Sequence, residues 1–154
     1  MVKIIEAKVK GRGVRVAIVV SRFNKFITEK LLNGCVNELV RCGVRKGDIV
    51  VAWTPGAFEV PLVAKRFARK KTVDVVIALG AVIRGETYHF EMVAQGATQG
   101  IMQVSLDTMK PVIFGVLTTE TLDQAYKRSE EDGDNKGKDA AQAAIEMACL
   151  LEKI

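Results

Sequence analysis

The sequence predicts an α/β protein: a three-layer α-β-α sandwich around a central four-stranded parallel sheet, with a short N-terminal strand in addition. Three observations carry this. Four runs, Val14 to Val20, Asp48 to Trp53, Val73 to Leu79 and Val112 to Leu117, are β-branched and nearly uncharged, which suits strands buried on both faces. Each run is followed by apolar residues at helical spacing. Strands and helices that alternate in this way build a parallel sheet covered by helices on both sides.

The elements follow in order. Val2 to Val9 alternates weakly and reads as a short edge strand or arm, broken by Gly11 and Gly13. After the first strong strand, Asn24 is placed to cap a helix. Its apolar positions are Ile27, Leu31, Leu32, Cys35, Val36, Leu39 and Val40, and Gly43 closes it. After the second strand, Thr54-Pro55-Gly56-Ala57 turns the chain. Pro61 then falls in a first helical turn, where its missing N–H costs little. The third strand ends in a turn punctuated by Gly80 and Gly85, and a helix from about Thr87 to Asp107 leaves it. Gly96 and Gly100 lie on one side of that helix. Glycine in a helix costs about 1 kcal/mol relative to alanine, so the pair implies tight packing against another helix, within the chain or between subunits. After the last strand, Thr121-Leu122-Asp123-Gln124 reads as a capping box for a short helix. Glu130 to Gly137 is a charged turn, and the last helix runs from about Lys138 to Glu152.

The 154 residues suffice for one domain, 1–154, and a chain of this size buries roughly 70% of its unfolded surface. Hydrophobic residues at 49% and charged residues at 27% are a soluble globular composition. No apolar stretch is long enough to span a bilayer, and no secretion leader is evident, so a cytoplasmic protein without membrane partners is expected. Cys35, Cys42 and Cys149 form no C-x-x-C pair and read as reduced, mostly buried thiols. The net charge is +5. The basic run Lys65 to Lys71 is the best local candidate for nucleic acid, but it reads better as the wet face and C-terminal end of a helix. No nucleic-acid motif accompanies it, whereas mild positive charge fits a small anionic substrate.

Right-handed crossovers place every strand-to-helix turn on one rim. Four stretches meet there: Ser21–Asn24, Thr54–Glu59, Val82–His89 and Thr118–Thr121. The dinucleotide and triphosphate glycine motifs are absent. With one histidine and no carboxylate pair at ligand spacing, no metal is expected, and no cofactor. No G-x-S-x-G nucleophile turn is present. The rim offers Phe23, either a face for a planar ring or an apolar staple onto the first helix. Glu59 either binds hydroxyls or complements a helix dipole. Gly85-Glu86-Thr87 presents backbone N–H groups at a helix N-terminus, either a phosphate cradle or a plain turn; the Glu86 side chain would have to point away from a phosphate. His89, the only histidine, can move protons at neutral pH. Together they suit proton transfer on a polar, phosphorylated substrate.

Five stretches taken together resemble the lumazine synthase family of riboflavin biosynthesis. They are S-R-F-N at 21–24, P-G-A-F-E-V-P at 55–61, G-A-V-I-R-G-E-T-Y-H-F-E at 80–91, P-V-I-F-G-V-L-T-T-E at 111–120 and N-K-G-K-D-A-A at 135–141. The resemblance implies a flavodoxin-like fold. It implies the cofactor-free condensation of a ribitylamino-pyrimidinedione with 3,4-dihydroxy-2-butanone 4-phosphate to dimethyl-ribityllumazine, with phosphate and water leaving. It implies that Phe23 stacks on the pyrimidine, lined by Val82 and Ile83, and that Gly56, Ala57 and Glu59 hold the ribityl chain. Gly85 and Thr87 would contact phosphate, and His89 would be the general acid/base. Phe114, Arg128 and Lys136 would come from a neighbouring subunit, with Arg128 the phosphate anchor. Many family members carry a G-T-K-x-G-N-K-G-like turn after this arginine. Here Ser129 to Gly137 lacks one lysine and carries four acids, without an obvious insertion. In this family that length accompanies pentamers assembled into sixty-subunit shells, with association to riboflavin synthase a further implication. The rival reading is a non-catalytic module of the same fold that binds a flavin precursor or forms a shell.

Overall fold

The computed structural model describes residues 1–154. Four parallel strands, β1 (Val16–Ser21), β2 (Ile49–Thr54), β3 (Val75–Ile83) and β4 (Val112–Thr119), form one sheet in the order β2-β1-β3-β4. The helices are α1 (Lys25–Arg41), α2 (Val60–Ala68), α3 (His89–Thr108), α4 (Leu122–Lys127) and α5 (Lys136–Leu151), with single 3-10 turns at Lys46–Asp48 and Ala57–Glu59. The two central strands, β1 and β3, are buried along nearly their whole length, which is why their sequences are continuous apolar runs rather than alternating ones.

Two apolar half-cores flank the sheet. On one side Ile18, Ile77 and Leu79 meet Ile27, Leu31, Cys35 and Leu39 of α1 and Ala141, Ala144, Ile145 and Ala148 of α5. On the other, Val19, Val76 and Ala78 meet Val60, Ala64 and Ala68 of α2 and Ala97, Ile101 and Val104 of α3. No helix is long and apolar enough to cross a membrane. Burial pushes the Cys35 thiol up to about 12, so it is inert packing. The three cysteines are free, with Cys35 buried and the other two half-buried.

Several expectations are corrected by this packing. Residues 2–9 form no strand. Val2 and Ile4 project into solvent, and no strand of this chain lies beside them, so their backbone has no ladder to join. The arm is tethered only near α5, by Lys153 Nζ donating to the Glu6 carbonyl at 2.7 Å. Gly80 does not turn the chain but lies inside β3, where a Cβ would press on Ser21 Oγ at 3.0 Å and Val116 Cγ1 at 3.3 Å. A strand glycine here marks close approach. Gly96 and Gly100 do pack tightly, as expected, and do so within the chain: a Cβ on Gly96 would strike the Phe58 ring, and one on Gly100 would meet Pro61 Cγ at 2.6 Å. Asn24 adopts the left-handed conformation and does not cap α1 with its side chain. Its Nδ2 donates instead to the Ala81 carbonyl at 2.8 Å. Leu62 of α2 and Leu151 of α5 are exposed.

α5 begins at Lys136 because Asn135 caps it. Asn135 Oδ1 accepts from the N–H of Gly137 at 2.8 Å and of Lys138 at 3.3 Å. Its Nδ2 donates to the Ser129 carbonyl at 2.8 Å and the Lys30 carbonyl at 3.2 Å. Thr121 caps α4 as its sequence predicts, accepting from the Gln124 N–H at 3.2 Å.

The buried Glu38 on α1 ties that helix to α5. Its carboxylate accepts from Arg41 at 2.6 and 2.9 Å and from Gln142 Nε2 at 2.7 Å. These donors, Arg41 first, hold the carboxyl down at about 2. A folded-state value below the ordinary 4.5 stabilises fully above that pH, and the contribution is lost as pH falls toward about 2. Glu38→Gln is therefore expected to lower the melting temperature at pH 7, and much less so near pH 2.5. Hydrogen bonds to a charged group of this kind are worth about 1.5–3 kcal/mol. Thermal melts across that pH range check it; an equal drop at both ends would assign the effect to packing alone.

Candidate functional site

At the carboxyl ends of β1, β2 and β3 lies a cavity of about 590 Å³, within the range typical of small-molecule sites. It sits where the chain leaves β1 and β3 toward opposite sides, the usual ligand position in open parallel sheets.

Phe23, Gly56, Ala57, Glu59, Val82, Ile83, Gly85, Thr87 and His89 all line it. Each is set there by backbone. The Arg22 N–H donates to the Thr54 carbonyl at 2.8 Å and the Phe23 N–H to the Pro55 carbonyl at 3.0 Å, which continues the β1–β2 ladder past the strand ends. Asn24, clamped to Ala81, then turns the chain into α1 and leaves Phe23 72% exposed, its ring free to meet a flat ligand. Thr54 Oγ1 donates to the Gly56 carbonyl at 2.9 Å and shapes the second turn. The Glu59 carboxylate folds back over Gly56, where an added Cβ would meet its Oε2 at 3.0 Å. Val82 and Ile83 end β3 as the floor, and His89 opens α3 in an exposed position. The turn from Gly85 to Tyr88 presents N–H groups at the start of a 20-residue helix, where the helix dipole favours an anion.

The remaining candidates stand elsewhere. Glu86 is exposed and does not line the cavity. Phe114 is exposed on the edge strand β4, on the same face as Val112 and Val116. Arg128 follows α4, exposed and without a carboxylate partner; its only side-chain bond is to the Gln124 carbonyl at 3.1 Å. Lys136 is committed to Asp134 at 2.8 Å and Asp139 at 3.2 Å. The acidic turn therefore supplies a carboxylate that occupies one of the expected phosphate contacts. No lysine or arginine lines the cavity of a single chain.

Phe58, Phe90, Met92 and Val93 also line the site and were not predicted from the sequence. Phe58 and Met92 are substantially exposed. Apolar residues flanking Glu59 and His89 on a strand-end rim were the available signal.

A family model described as 6,7-dimethyl-8-ribityllumazine synthase matches residues 13–152, which takes in every strand and helix of the fold.

Proposed function

Because the chain belongs to the 6,7-dimethyl-8-ribityllumazine synthase family, we propose that it condenses 5-amino-6-(D-ribitylamino)uracil with 3,4-dihydroxy-2-butanone 4-phosphate. The family is one of transferase-type enzymes of riboflavin biosynthesis. The observation that carries the proposal is the convergence of Phe23, Glu59, Gly85 and His89 on one cavity.

In this reading the pyrimidine stacks on Phe23 over Val82 and Ile83, and its ribityl hydroxyls meet Glu59 and the backbone at Gly56 and Ala57. The phosphate of the second substrate sits at the N–H groups of Gly85 and Thr87. The uracil amine attacks the ketone, water leaves to give an imine, phosphate is eliminated, and the second nitrogen closes the ring with loss of a further water. Every step moves a proton, and His89 at the mouth of the cavity is the group that relays them. No cofactor enters the scheme.

A phosphate held only by backbone N–H groups lacks a cation. Arg128, exposed and free of carboxylates, supplies it from the neighbouring subunit, with Phe114 beside it. Lys136 joins them only if its pairs with Asp134 and Asp139 open. This arrangement calls for a closed ring with a head-to-tail interface, in our reading a homopentamer assembled into a shell. Exposed Met102 and Leu106 on α3 and Met109 just past its end suit burial in such an assembly.

Mixing the purified protein with both substrates is expected to produce lumazine absorbance and fluorescence together with released phosphate. Neither substrate alone does so. Pyrimidine binding without product would make the protein a binding module instead.

A further inference from the structure

We infer that Arg84 is a positioning residue of this site, fixing the Gly85–Tyr88 turn and His89 through a guanidinium that bridges Glu91 and Glu120. The inference rests on the reading of the cavity given above.

The turn has little to hold it. Residues 84–89 are all exposed, and an added Cβ on Gly85 would meet nothing within 4 Å. The one side-chain hydrogen bond inside it, from the His89 N–H to Thr87 Oγ1, is long at 3.4 Å. Arg84 provides what the turn lacks. Its own N–H donates to the Thr119 carbonyl at 2.9 Å, which anchors it to the β4 ladder. Its Nε donates to Glu120 Oε2 at 2.5 Å, and its terminal nitrogen donates to Glu91 Oε1 in the first turn of α3. The Arg84–Glu91 pair spans the turn like a staple, joining the residue before it to the helix after it. The guanidinium also lies 4.5 Å from the centre of the Phe90 ring, which lines the cavity beside His89.

The charges show why this arginine does not bind the substrate phosphate itself. It is committed to two carboxylates and does not line the cavity. It neutralises Glu91, whose second oxygen is buried without a donor. Without Arg84 that carboxylate would be left with no counter-charge, beside the turn that receives an anion.

The test uses Arg84→Met, Arg84→Lys and Glu91→Gln in the assembled protein. Arg84→Met is expected to lower kcat by about 10–100-fold, the scale of a 1 Å misplacement, and to raise KM for the butanone phosphate. Pyrimidine affinity, read by binding alone, should stay near wild type. Amide hydrogen exchange should accelerate at residues 85–90 and not in the β1–β3 core. Arg84→Lys should recover part of the loss, since it keeps the charge but not the two-pronged geometry. Glu91→Gln neutralises the staple, leaving at most a neutral hydrogen bond to an Arg84 still in place, and should speed the same amides to a lesser degree. Wild-type kcat and KM in Arg84→Met would overturn the inference, as would faster exchange spread evenly over the chain. Should the wild-type protein form no lumazine, the functional reading fails, and the exchange pattern still decides whether Arg84 holds the turn.

Discussion

Replacing His89 with alanine is expected to lower turnover by about 10²–10⁴-fold, the usual worth of one positioned acid/base, without disturbing assembly or pyrimidine affinity. The imidazole is exposed at the first position of α3 and makes no side-chain hydrogen bond that supports the fold. Its loss therefore leaves Phe23, Glu59 and the β3 end where they are. Activity should not vanish, because holding two substrates together contributes independently of proton relay, roughly up to 7–11 kcal/mol in favourable cases. Steady-state kinetics with a parallel binding titration check this. Unchanged turnover would move the acid/base role to another group or to solvent.

Mixtures of His89→Ala and Arg128→Ala chains, co-assembled from dissociated subunits, are expected to be more active than either variant alone. The cavity of one chain contains no lysine or arginine, and Arg128 is outside it and exposed. In a ring, each site draws its histidine from one subunit and its arginine from the next. A random equal mixture then gives about one intact site in four, because a head-to-tail interface pairs its two halves independently. Activity should approach roughly a quarter of wild type. A mixture that shows only the mean of the two variants would place both residues in one chain's site. Arg128→Ala alone should raise KM for the butanone phosphate far more than for the pyrimidine, since a guanidinium matches phosphate oxygens with paired donors.

The sheet was legible because its central strands, β1 and β3, are buried on both faces and so read as unbroken apolar runs, Val16 to Val20 the clearest; the edge strand β2 is equally apolar in sequence but leaves Val50, Val51 and Trp53 exposed. The shared rim was legible for a topological reason, since parallel strands with right-handed crossovers gather their turns at one end. That logic brings Phe23, Glu59 and His89 to one rim from sequence alone. Strand ends were less visible. β3 runs on to Ile83 because Gly80 serves close packing against Ser21 and Val116, which no local pattern reveals. Asn24 reads as a cap on its residue type alone, but its amide is taken by Ala81, 57 residues away in the chain. The same holds for charge. Arg84 and Lys136 are written like any other basic residue, and only the fold discloses that carboxylates already occupy both. Residues 2–9 show the converse, an alternating pattern that finds no strand to pair with inside its own chain.

The pairing of the first helix with the last has a consequence for how the protein is made. Ile27, Leu31, Cys35 and Leu39 of α1 are covered in part by Ala141, Ala144, Ile145 and Ala148 of α5, at the far end of the chain. During synthesis α1 emerges first, and its partner follows roughly a hundred residues later, about 5–20 s at bacterial to eukaryotic elongation rates of roughly 5–20 residues per second. Throughout that interval one side of the growing sheet is covered by α1 alone. The nascent chain is then a natural client for chaperones, and a ribosome that stalls before Lys136 releases a product whose apolar face is only half covered.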